Sequence, residues 1–122
     1  MKIMDFLRRA LSEDCADSKK ANAIEKLYYC QLKNEARKIV AHLDETVFFE
    51  DEGFLRLLSF AEVCDASEDL NVDFQAVRVL PLFDLGDNDY IAYKMDENKW
   101  CRFNIAEELS FSTKASIIEF FI

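Results

Sequence analysis

The residues able to do chemistry are few and scattered. His42 is the sole histidine, and the four cysteines, Cys15, Cys30, Cys64 and Cys101, form no C-x-x-C pair. Catalysis requires convergent groups whose proton affinities the fold has shifted. A single histidine near the end of a helical pattern reads instead as a group meeting the last carbonyls and the negative end of the helix dipole. The cysteine spacing fits neither a zinc site nor a compact disulfide framework. These residues read as reduced, mostly buried thiols of a cytoplasmic protein. The expectation is therefore no metal, no cofactor and no enzymatic activity. A cysteine paired with His42 by the fold is the enzyme alternative.

Asp84, Asp87 and Asp89, with Asn88 among them, invite comparison with a calcium loop. An EF-hand needs Gly at its sixth position and a bidentate Glu at its twelfth. Counting from Asp84, those positions hold Asp89 and Met95, so the pattern fails. The segment reads as a solvated hairpin turn.

Carboxylates are the abundant functional group, with 24 Asp+Glu against 15 Lys+Arg and a net charge of −9. Through Leu43 the chain carries 9 cationic and 6 acidic side chains, a balance of +3. From Asp44 onward 6 cations face 18 carboxylates, a balance of −12. Such a segment repels phosphate backbones, which disfavours direct nucleic-acid binding. It attracts a basic protein surface. The candidate contact residues are the acids of the expected turns: Glu50, Asp51 and Glu52; Asp84, Asp87 and Asp89; Asp96 and Glu97. Glu62, Asp65, Glu68, Asp69 and Asp73 read first as solubilising surface. Tyr90, Tyr93 and Trp100 belong in a sheet, where any that face outward become interface anchors.

The elements that must position these groups follow from periodicity. Ile3, Phe6, Leu7, Ala10 and Leu11 recur at helical spacing. A second helix opens near Asp17 or Ser18 and continues for about seven turns, on the stripe Ile24, Leu27, Tyr28, Leu32, Ala36, Ile39, Val40 and Leu43. Lys26, Lys33, Arg37 and Lys38 lie off that stripe and give the helix a basic outer face. Thr46–Phe49 and Phe54–Leu58 read as a hairpin around Glu50–Gly53. Ser59–Leu70 carries a short helical pattern. A meander follows, with strands at Ala76–Leu80, Tyr90–Met95 and Trp100–Ile105, and Pro81 marks a strand end or edge. Ser112 caps a closing helix with Ala115, Ile118, Phe121 and Ile122 on one stripe, and Phe120-Phe121-Ile122 reads as core. The expected fold is a single α+β domain over residues 1–122, with N-terminal helices packed on a mainly antiparallel sheet and a C-terminal helix closing it. The N-terminal segment does not read as a secretory signal, and no apolar run suffices for a membrane helix.

From about Phe54 to Phe121 the chain resembles the SUKH superfamily, the fold of many bacterial toxin-immunity proteins and of a fungal cell-wall regulator. The resemblance rests on Val79-Leu80-Pro81-Leu82, then Asp84-Leu85-Gly86-Asp87-Asn88-Asp89-Tyr90-Ile91. The acidic turn at Asp96-Glu97-Asn98, the strand Trp100–Phe103 and the segment Ser116–Phe121 extend it. The N-terminal half departs from the family, lacking its Leu-Pro-x-x-Tyr segment and Asn-Gly-Gly turn. The resemblance implies a binding function: neutralising a basic toxin, of nuclease or deaminase class, encoded nearby. The alternatives are a regulatory or scaffold module of the same fold, or an acidic mimic of nucleic acid.

Overall fold

The computed structural model describes residues 1–122. Three helices come first: α1 (Ile3–Ser12), α2 (Lys19–Tyr28) and α3 (Glu35–Ala41). Strands β1 (Phe48–Phe49) and β2 (Glu52–Leu57) follow, then helices α4 (Phe60–Leu70) and α5 (Phe74–Val77). The chain ends with β3 (Val79–Gly86), β4 (Asp89–Lys94), β5 (Lys99–Asn104), β6 (Leu109–Lys114) and a 3-10 turn at Ile117–Phe120. The six strands form one sheet in sequence order, every pair antiparallel. The α+β class and the order of helices before sheet agree with the sequence.

Ser18 accepts from the Ala21 N–H and starts α2, as its type predicts. The single long helix expected from near Ser18 to Leu43 is, however, two helices. Tyr29 enters the left-handed region (φ 51°) and Asn34 stands at φ 48°, and the chain between them is not helical. Glu25 reaches across the break to accept from the Leu32 N–H. Arg78 donates to the Tyr28 and Tyr29 carbonyls, which satisfies the end of α2. The apolar stripe survives because Leu32 still turns inward, so periodicity alone does not reveal the break. Leu27 alone of the stripe lies on the surface.

The basic outer face is only half realised. Lys26 and Lys33 are exposed. Arg37 donates to the Ala16 carbonyl and to Asn22, and Lys38 donates to the Leu11 carbonyl, tying α3 to α1, to α2 and to the connection between them.

Ala76–Leu80 is not one strand. Asp73 caps the short α5, and β3 begins at Val79 after a left-handed Arg78. Pro81 lies inside β3, opposite Ala92, rather than at the strand end. It is tolerated because β2 pairs with β3 only at Phe83 and Asp84, and a register shift between Pro81 and Phe83 breaks the ladder there. The expected closing helix is also different: Leu109–Lys114 is a strand, and Ser116, not Ser112, caps the closing turn.

Neighbouring residues on a strand face opposite ways. Asp84, Tyr90 and Phe103 lie in register on one face, and Phe74 of α5 meets Phe103 edge-on at 5.8 Å. Arg56 on the same face donates to Glu62 of α4, so α4 and α5 cover this side. Phe83, Ile91 and Arg102 form the row behind. There Phe83 packs against Phe49 and Phe121, and Phe6 of α1 against Phe49. Trp100 donates its indole N–H to Glu35 of α3 on that side. The sheet is thus sandwiched, and its centre is buried on both faces.

Candidate functional site at the acidic end of the sheet

Hairpin register decides which turns share an end of the sheet. Phe49 pairs with Glu52, Gly86 with Asp89, and Asn104 with Leu109. Because Arg56 pairs with Asp84 and Asp89 with Asn104, these three connections lie at one end. They carry Glu50-Asp51, Asp87-Asn88 and Ile105–Glu108. The β4–β5 connection, with Asp96 and Glu97, lies at the opposite end. The two-residue β3–β4 turn places Asp87 and Asn88 both at positive φ (50° and 67°), a geometry that suits the strand twist.

The eight carboxylates singled out in the sequence therefore split. Six have intramolecular partners. Glu50 binds the N-terminal ammonium at 2.9 Å, and Asp51 accepts from the Ile3 N–H at 3.0 Å, where it caps α1 and pins the hairpin to it. Asp84 accepts from Arg56 and, at 2.8 Å, from the Gly86 N–H. Asp89 is held by Arg102 and Asn104. Asp96 pairs with Arg78 and Glu97 with Lys94 at the far end. The Arg78 guanidinium holds the Asp96 carboxyl below the usual range. Only Glu52 and Asp87 carry no hydrogen bond or ion pair.

Glu107 and Glu108 join them, and sequence reasoning overlooked both. Their side chains are exposed and unpartnered, on the turn between β5 and the unforeseen β6. The available signal was the run Asn104–Glu108, whose Asn side chain accepts from the Glu107 N–H as in a tight turn. Glu52, Asp87, Glu107 and Glu108 thus leave four free carboxylates at one end of the sheet. Apolar surface lies beside them. Phe54 is 87% exposed, in the stretch of β2 opposite the register break, and Leu109 is 53% exposed next to Glu108. Tyr90, Tyr93 and Trp100 are buried, so none of them supplies an exposed anchor.

His42 is 5% exposed. Its Nδ1 lies 2.8 Å from the Lys38 carbonyl and its Nε2 lies 2.8 Å from Glu13. The helix-end role read from the sequence is what the geometry supplies, with Glu13 as an added acceptor. Cys15 and His42 do line one open cleft of about 430 Å³, together with Asp17, Lys20 and Glu45. Glu13 occupies the ring nitrogen that would take a proton from a nucleophile there. Burial pushes the Cys30 thiol up to about 11 and raises Cys64 and Cys101 as well, the opposite of activation.

No helix is long and apolar enough to cross a membrane. Comparison with protein-family models, curated proteins and solved structures found no match to this chain.

Proposed function

We propose that this chain is a protein-binding module that captures a basic partner at the acidic end of its sheet. The observation that carries this reading is the set Glu52, Asp87, Glu107 and Glu108, left without partners beside exposed Phe54 and Leu109. Unpaired carboxylates keep their charge available for steering, and an exposed aromatic supplies the apolar contact that gives a complex its lifetime. The SUKH resemblance supports a specific partner: a basic toxin of nuclease or deaminase class, neutralised in the cytoplasm of the cell that makes both. Acidic side chains would then occupy the groove that the toxin's nucleic acid uses.

The product of the neighbouring gene is the protein to test. Tight binding at low salt, weakened by raised salt and by Phe54→Ala, is the expected result, together with rescue of cells expressing that neighbour. No complex and no rescue would reject the proposal.

A further inference from the structure

β6 is the outermost strand of the sheet and has no neighbour beyond it. The opposite edge strand, β1, is two residues long, whereas β6 runs for six. An uncovered strand of that length presents free backbone N–H and C=O groups to any strand that can pair with it. Proline, bulges and edge charges normally blunt such a row. β6 contains no proline, its one irregularity comes late at Ser112 (φ 53°), and its one charge is terminal Lys114. Leu109 to Phe111 therefore stays regular. Leu109 and Phe111 share a face and are 53% and 36% exposed, with Arg102 stacked over the Phe111 ring at 5.5 Å.

This strand complements itself when read backwards. Antiparallel pairing about a two-fold axis at Ser110 sets Leu109 opposite Phe111 of a second copy, and Phe111 opposite its Leu109. Four exposed apolar side chains then close into one patch. Glu107 and Glu108 stand at one end of the strand and Lys114 at the other. Glu107 and Glu108 lie in the turn that leads into the strand, so opposite charges come near one another at both ends of the seam. Parallel pairing would instead set Glu107 and Glu108 against themselves.

We propose that β6 pairs antiparallel with itself and joins two copies of the chain into one continuous sheet. The two acidic ends then point in opposite directions. A seam of one strand and its flanking side chains falls short of the roughly 1,200 Å² of a standard stable interface, so association is weak and depends on concentration. Leu109 and Glu107 also belong to the acidic end, so the seam and partner capture compete for them. Self-association is measured on the chain alone and reads out separately from toxin binding.

Sedimentation of the intact chain from about 10 μM to about 1 mM tests the proposal. The mass is expected to move from 14.2 kDa towards twice that value. Leu109→Lys is expected to hold it at the monomer mass with an unchanged far-UV spectrum. Lys114→Glu is expected to raise the midpoint concentration about fivefold, and adding Glu107→Lys to it to restore the original midpoint. A monomer mass throughout would overturn the proposal. So would a dimer indifferent to Leu109→Lys, or a charge exchange without rescue; the last uses two exposed positions and does not depend on how Leu109→Lys folds.

Discussion

Individual polar side chains in this protein hold elements together more than they decorate its surface. Glu35 accepts from the Trp100 indole at 3.1 Å, the Ser116 hydroxyl at 2.7 Å and the Ile117 N–H at 3.0 Å. One carboxylate thus ties α3, β5 and the closing turn. Glu35→Ala leaves those donors without their acceptor and is expected to lower unfolding stability by about 2–4 kcal/mol, read from urea denaturation. Trp100 fluorescence is expected to shift to longer wavelength as the turn loosens. Arg78 plays a comparable part from a left-handed backbone, donating to the Tyr28 and Tyr29 carbonyls and to Asp96. Arg78→Met is expected to cost about 2–3 kcal/mol and to increase hydrogen exchange at the end of α2. Asp96→Asn keeps both carbonyl bonds and is expected to cost less than Arg78→Met in the same titration.

At the scale of the element, burial makes the α2–α4 contact sensitive to alkali. Tyr28 donates to the Val63 carbonyl across that contact, and burial pushes its phenol up to about 12. Cys30, just past the end of α2, is pushed up to about 11, and burial raises Tyr90 and Tyr93 in the sheet as well. In the unfolded chain these groups ionise at lower pH than in the native state, so the unfolded state gains first from alkali. Their contribution is intact below about pH 9 and is lost as pH rises through about 11 to 12. The urea midpoint is expected to fall across that window. Cys30→Ser is expected to flatten the part of the fall between about pH 9 and 11. A midpoint that stayed level to pH 12 would contradict the burial assigned to these groups. The β1–β2 hairpin shows the other element-scale effect, for Asp51 caps α1 across a long sequence separation. No local pattern marks that carboxylate as a cap, since capping signals are read from residues adjacent to the helix.

For the molecule as a whole, the uneven charge has become a place. Glu52, Asp87, Glu107 and Glu108 stay free at one end of the sheet, Asp65, Glu68 and Asp69 stay free along α4, and several others are neutralised by nearby cations. Reversing Glu52 and Asp87 together to Lys is expected to weaken capture of a basic partner at least tenfold while changing unfolding stability by less than about 0.5 kcal/mol. Calorimetric binding paired with urea denaturation separates these effects. A large loss of stability instead would mean that the two carboxylates have structural partners.

Composition and periodicity were sufficient for the class of fold, the first helix, the start of the second near Asp17 or Ser18, the first hairpin and the β3–β4 turn. Each of these is written in residues close together in the chain, where alternation, helical spacing and turn chemistry act directly. The break between α2 and α3 was invisible because the inward stripe continues through Leu32, while the groups that satisfy the broken end come from Glu25 and from distant Arg78. β6 was missed because Leu109–Lys114 is largely exposed and lacks the buried alternation that marks a strand. With β6 unseen, Glu107 and Glu108 had no hairpin to belong to. The sequence by itself settled that this protein has a strongly acidic second half. Tertiary structure decided which of those acids are spent on Arg56, Arg78, Arg102 and helix α1 and which stay free, because pairing depends on register and packing between segments far apart in the chain.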